Sequence, residues 1–238
     1  MAASPVRLVI FDMAGTTVHD EDFVNVAFRA ALSENGIAVT RDEVNAVMGY
    51  PKPLAIRRLL ERRAGDPDAV SDEAVHRLHE AFLHRMNAFY ATDPAVREIE
   101  GATATFRRLK EAGLRIALDT GFSRSTANVI IHRLGWDAAG LLDATVTSDE
   151  VERGRPHPDL ALRCMALTGI TDPAEVAKVG DTPSDLQEGT AAGCRYVIGV
   201  TNGSHTAEEL RPYPHTHLVS SITDLPALLL DTPAASTA

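Results

Sequence analysis

Short apolar runs alternate along this chain with longer stretches of helical periodicity. Apolar or small residues dominate 6–11, 114–119, 144–147, 176–180 and 196–200, and each run stops at a polar or glycine-bearing turn. Short runs with little polar alternation predict strands buried on both faces. Strands alternating with helices predict an α/β fold, a parallel sheet covered by helices, with ligands beyond the carboxyl ends of the strands.

The segment from 20 to 95 interrupts that alternation. Phe23, Val26, Ala27, Ala30 and Ala31 mark one apolar face at near-helical spacing. Leu54, Ile56, Leu59 and Leu60 mark a second, and Val75, Leu78, Phe82, Met86 and Phe89 a third, until Pro94 breaks the pattern. This predicts a helical insertion over 20–95, with the core built from 1–19 and 96–238. His215 and His217 alternate near a final strand, and the tail from Leu230 is expected to fray.

Composition narrows the class. The 238 residues are 45% hydrophobic and 24% charged, enough for one substantial core and a small second domain. The net charge of −10 argues against nucleic acid as a partner. Arg57-Arg58 and Arg62-Arg63 form a local basic patch on one expected helix, read as a solvated face. Cys164 and Cys194 have no metal or redox spacing, so buried free thiols in a reducing compartment are expected. The first strand begins by residue 6, and no apolar run is long enough to cross a bilayer, which places the expectation in the cytoplasm, away from membranes.

Two runs end in carboxylates. Arg7-Leu8-Val9-Ile10-Phe11 delivers Asp12 into Met13-Ala14-Gly15-Thr16-Thr17, and Val179-Gly180 delivers Asp181 into Thr182-Pro183-Ser184-Asp185. Paired carboxylates at a sheet edge suit Mg²⁺, a hard ion that takes oxygen ligands and leaves coordination for phosphate. A carboxylate there can also act as a nucleophile toward phosphorus. Asp185 equally suits the first turn of a following helix.

With these motifs the chain resembles the haloacid dehalogenase superfamily, and within it the phosphonatase branch. The resemblance implies a Rossmann-like core with an inserted α-helical cap that closes over the site. It implies Asp12 as nucleophile and Mg²⁺ held by Asp12, the backbone carbonyl of Ala14, Asp181 and Asp185. Thr120 and Gly121, after the second strand, match the second motif and would bind phosphoryl oxygens, as would the Gly15 loop. Asp119 just before them would serve the turn. Arg155, in Gly154-Arg155-Pro156, falls where most members have lysine and would offset phosphoryl charge. Position 14 holds alanine where superfamily phosphatases carry a second aspartate as acid and base, a mark of the phosphonatase branch.

The cap motif Met48-Gly49-Tyr50-Pro51-Lys52 matches the phosphonatase setting of a Schiff-base lysine. Cleaving a C–P bond leaves a carbanion, and condensing a neighbouring aldehyde with Lys52 provides an iminium to accept those electrons. Pro53 would open a helix and set Lys52 near its positive end, and burial would lower its pKa. The branch has histidine three residues on, where this chain has Ala55. Two other readings stay open: a phosphatase of small phosphate monoesters, and a non-catalytic phosphate-binding module. The resemblance also implies a homodimer paired through the cap.

Overall fold

A computed structural model describes residues 6–19, 22–47, 52–65 and 70–230. Its strands are β1 (Leu8–Phe11), β2 (Arg115–Thr120), β3 (Ala144–Thr147), β4 (Val176–Gly180), β5 (Tyr196–Val200) and β6 (His217–Val219). They form one parallel sheet in the order β3-β2-β1-β4-β5-β6. The five expected strands are present with edges moved by up to two residues, so that Thr120 closes β2 rather than following it. β1 lies between β2 and β4, where the strand order reverses, and this is where open α/β sheets form their ligand crevice.

The chain divides into two compact units, Met1–His19 with Pro94–Ala238, and Asp20–Asp93. In the larger unit, helices cover both sheet faces because β1 alternates its side chains between them. Leu8 and Ile10 join Val146, Leu160, Cys164 and Leu186 in one buried cluster, covered by α7 (Asp159–Thr168) and α8 (Pro183–Ala191). Phe11, offset by one residue, stacks edge-on against Phe106 of α5 (Ala102–Glu111), which meets Trp136. Each of these fully buried rings contributes on the order of 1.5–3 kcal/mol by leaving water. Trp136 also satisfies its indole N–H on Thr103.

The insertion leaves and rejoins this unit through paired backbone. Val18 bridges antiparallel to Glu98, His19 N–H donates to the Arg97 carbonyl (3.0 Å), and Ile99 N–H donates to Thr17 (2.9 Å).

The smaller unit contains α1 (Phe23–Glu34), α2 (Arg41–Asn45), α3 (Lys52–Ala64) and α4 (Asp72–Thr92). The buried face of α1 is Val24, Ala27, Phe28, Ala31 and Leu32, rotated from the expected one. Val26 is exposed, because Phe28 supplies the anchor that meets Phe82 of α4 edge-on. In α3, Ile56 and Leu59 are buried and Leu54 is exposed. The basic stretch is only in part a solvated face. Arg58, Arg62 and Arg63 are exposed, whereas Arg57 is half-buried, donating to the Val70 carbonyl (3.0 Å) and pairing with Asp72.

Met48–Pro51 and the tail after Leu230 lie outside the described residues. No described helix is long and apolar enough to cross a membrane.

Candidate active site

Three adjacent strands bring the acidic residues together. Asp12 follows β1, Asp119 lies near the end of β2, and Asp181 follows β4, with Asp185 on the first turn of α8. All are buried. One carboxylate oxygen from each of Asp12, Asp181 and Asp185 lies within 4.8 Å of the others.

Local sequence accounts for the placement of Asp181. Thr16 donates its hydroxyl to Oδ1 (2.9 Å), and the Ser204 N–H donates to Oδ2 (2.6 Å). The first loop comes this close because position 15 is glycine with φ +83°, and a Cβ there would lie 2.3 Å from Asp181 Oδ2. Gly15 therefore faces Asp181. Thr17 ties the loop down by donating to the Asp12 carbonyl (2.9 Å). Ala14, at the exposed side of this turn, is half-buried.

Asp185 serves the helix and the cluster at once. It closes a capping box with Thr182, whose backbone N–H and hydroxyl both donate to Oδ2 (3.1 and 2.5 Å). Its Oδ1 points inward, 3.2 Å from Arg155 Nη1 and 3.4 Å from Lys178 Nζ.

Arg155 stands at the centre, its side chain 13% exposed. Nη1 donates to Asp12 Oδ1 (2.5 Å), Nε donates to Glu188 Oε2 (2.9 Å), and Nη2 donates to the backbone carbonyl of Asp119 (3.0 Å) and to its carboxylate. Asp119 thus departs from its expected role in the turn. Its side chain is fully buried and receives both Arg155 and Lys178. Thr120 is buried beside it, with Oγ1 accepting from the Phe122 N–H (3.1 Å), which leaves the hydroxyl proton to donate elsewhere. Gly121 leaves open space where a side chain would stand.

Lys178 and Glu188 have no place in the motif reading, yet both are fully buried here. A lysine inside Val176-Ala177-Lys178-Val179 was the available signal, since an apolar strand buries an ammonium only beside acids. Glu188 stands three residues after Asp185, on the same helix face.

Four buried carboxyl groups, of Asp12, Asp119, Asp185 and Glu188, pair with the cations Arg155 and Lys178, and a fifth, of Asp181, lies beside Asp12 and Asp185. Burial lifts the Asp12 carboxyl well above the usual carboxylate range, with Asp185 and Asp181 adding to the rise and Arg155 opposing it. Burial and then Asp185 also raise Asp181, and burial with Asp119 lifts Glu188 to about 7. Asp185 is held low against its burial by Arg155 and Lys178. Asp119, Glu188 and Asp185 keep the Lys178 ammonium protonated despite burial. The excess of acid sits on the side of Asp12 and Asp181, and three hard oxygen donors converge there. This donor set fits Mg²⁺. A second acidic group, Asp119, Asp185 and Glu188, is also within 4.8 Å, but Lys178 Nζ pairs with all three members.

Lys52 belongs to the smaller unit and opens α3 as its first residue. Its side chain is half-buried, and desolvation lowers its pKa to about 8. Ala55, in the histidine position of the resemblance, is buried one turn on. The cysteines are free buried thiols, Cys194 pushed up to about 12 by burial.

A family model for haloacid dehalogenase-like hydrolases matches residues 6–193. The chain is 33% identical to a phosphonoacetaldehyde hydrolase of Bordetella avium, over 97% of this chain and 93% of that one. Among solved structures, a phosphonoacetaldehyde hydrolase-like protein from Oleispira antarctica superposes with a TM-score of 0.78 at 25% identity, covering 97% of this chain and 93% of the other. A predicted phosphoglycolate phosphatase from Haemophilus somnus also superposes at 0.78, at 18% identity over 94% and 97% of the two chains, which shows the shared fold.

Proposed function

We propose that this chain, which belongs to the haloacid dehalogenase-like hydrolases, cleaves the C–P bond of phosphonoacetaldehyde or a closely related carbonyl phosphonate. The reading rests above all on one pairing. Position 14 holds alanine, which cannot protonate a departing oxygen, while position 52 holds a lysine whose pKa of about 8 leaves a useful neutral fraction near neutrality. Ester hydrolysis needs the missing acid, and C–P cleavage needs the amine.

In this mechanism the neutral Lys52 amine condenses with the substrate aldehyde, releasing water and taking up one proton to give the iminium. Asp12 attacks phosphorus through a carboxylate oxygen. The C–P electron pair passes into the iminium and leaves an enamine on Lys52. Protonation of the enamine carbon gives a second iminium, whose hydrolysis releases the aldehyde and a proton and restores the neutral amine. Water then hydrolyses the aspartyl-phosphate to phosphate and Asp12. A Mg²⁺ ion held by Asp12, Asp181, Asp185 and the Ala14 carbonyl would neutralise charge on the phosphoryl oxygens. Arg155 orients Asp12 through Nη1, and the Thr120 hydroxyl with the Gly121 loop binds phosphoryl oxygens. The smaller unit acts as the cap, and two copies pair through it.

A phosphatase of small monoesters is the second reading, and Ala55 favours it, because the proton-handling histidine of the phosphonatase branch is absent. Release of phosphate and acetaldehyde from phosphonoacetaldehyde with Mg²⁺, beside a phosphate ester and a Lys52→Ala variant, separates the two. Both products from the wild type and none from the variant are expected. Ester hydrolysis alone, indifferent to Lys52, establishes the phosphatase.

A further inference from the structure

The mechanism above gives no task to Asp119, Lys178 or Glu188, although all three are fully buried. They lie around two edges of the Arg155 guanidinium. Glu188 Oε2 accepts from Nε at 2.9 Å, and its other oxygen is fixed by the Ala161 N–H at 3.1 Å. Asp119 accepts Nη2 on its backbone carbonyl at 3.0 Å and on its carboxylate. Lys178 Nζ joins the two acids from behind, paired with Asp119 and 3.2 Å from Glu188 Oε2. A guanidinium is planar and rigid, so holding Nε and Nη2 sets the direction of Nη1. That remaining edge meets Asp12 Oδ1 at 2.5 Å and Asp185 Oδ1 at 3.2 Å.

We propose that Asp119, Glu188 and Lys178 are positioning residues that form a socket for Arg155, aiming Nη1 at the Asp12 carboxylate. Lys178 acts as the counter-cation that lets two acids stand behind one arginine. This rests on Asp12 accepting a phosphoryl group and holds whether the bond broken is C–P or O–P. Sequence supports the assignment independently, since a lysine in the middle of an apolar strand has no packing reason to be there. The three acids nearest Lys178 do not make a second cation site, because its ammonium already lies among them.

The test reads the phosphoryl-accepting state itself, as beryllium trifluoride binding to Asp12 with Mg²⁺, followed by fluorine NMR. Turnover of phosphonoacetaldehyde and of p-nitrophenyl phosphate is measured alongside. Asp119→Asn and Glu188→Gln should each weaken the adduct and lower kcat on the working substrate by about 10–100-fold, the cost of a small misplacement, with KM little changed. Arg155→Ala should lose the adduct, and added guanidinium should restore it where urea, neutral and similar in shape, does not. In Arg155→Ala/Asp119→Asn the guanidinium rescue should fall at least about tenfold, since the socket that holds the ion is damaged.

Lys178→Met alone leaves acids unbalanced and is prone to unfold. The Asp119→Asn/Lys178→Met pair removes one charge of each sign; it should fold and still lose the adduct. Equal guanidinium rescue with and without Asp119, or wild-type adduct affinity in Asp119→Asn, overturns the socket. Adduct formation by a wild type that releases no aldehyde overturns the C–P reading, while the variants still decide the socket. A wild type that binds no beryllium trifluoride overturns both.

Discussion

The Thr16 hydroxyl donates to Oδ1 of Asp181 at 2.9 Å, joining the loop after β1 to the end of β4. With the Ser204 N–H on the other oxygen at 2.6 Å, Asp181 is held from two sides, as a metal ligand must be if its lone pairs are to point one way. Thr16→Val removes one of these holds inside a buried site. Stability should fall by about 1–3 kcal/mol in denaturant titration, the cost of an unsatisfied buried acceptor. Mg²⁺ affinity by calorimetry should fall about 10–100-fold, and Thr16→Ser should recover both.

Crowding at the same place gives a second prediction. A Cβ at Gly203 would stand 2.4 Å from the Gly15 carbonyl oxygen and 2.5 Å from Asp181 Oδ2. Neither the backbone nor the held carboxylate can give way cheaply, so Gly203→Ala should destabilise by about 1–3 kcal/mol. It should also weaken Mg²⁺ binding. A variant with unchanged Mg²⁺ affinity would show that Asp181 is free to move.

In the proposed mechanism the Lys52 amine reacts only when neutral. A folded-state pKa of about 8, below the 10.5 of an ordinary lysine, makes it half neutral at about pH 8. Borohydride trapping of the imine with phosphonoacetaldehyde should therefore rise about tenfold per pH unit below 8 and level off above it. Mass spectrometry should locate the reduced adduct on Lys52, and Lys52→Arg should trap nothing. A midpoint near 10.5 would mean an exposed amine in solution.

Acid titration and metal binding should oppose each other. Asp12, Asp181 and Glu188 have raised pKa values, Glu188 about 7 against 4.5, so each binds its proton more tightly in the folded than the unfolded state. For these groups the metal-free protein gains stability as pH falls through about 7 toward 4.5 and loses it as pH rises. Asp185, held low, acts in the opposite sense, its contribution lost only as pH falls below its ordinary range. Mg²⁺ supplies the positive charge that protons supply at low pH. Its stabilising shift in thermal unfolding should be larger at pH 7.5 than at pH 5.5, and equal shifts would contradict the charge balance.

The sheet and its carboxylates were legible because their signals are local. An apolar run ending in Asp12 or Asp181 states a strand, its end and its chemistry within a dozen residues. Asp119 was misread for the same reason. Beside Thr120 and Gly121 it resembles a turn residue, and only the approach of β4 and α8 gives it Arg155 and Lys178 as partners. Lys178 carried its signal in an apolar strand, but which acids meet it depends on strand order. The buried face of α1 was rotated because small residues at Ala27, Ala30 and Ala31 set a periodicity that Phe28, through its partner Phe82, overrides.

The paired backbone at Val18 and Glu98 makes the insertion separable in length from the sheet it leaves. Because the chain leaves and re-enters the larger unit side by side, everything from Asp20 to Asp93 is, topologically, one hairpin loop grown long. The entropy of closing a loop increases only with the logarithm of its length, about 0.6 kcal/mol for each doubling, so such a loop can lengthen or shorten without unsettling the sheet beneath it. Asp12, the proposed nucleophile, and the residues that hold Arg155 against it belong to the part that stays. Lys52 belongs to the part that can be exchanged, so under the proposed mechanism the reaction would change with the loop that carries it.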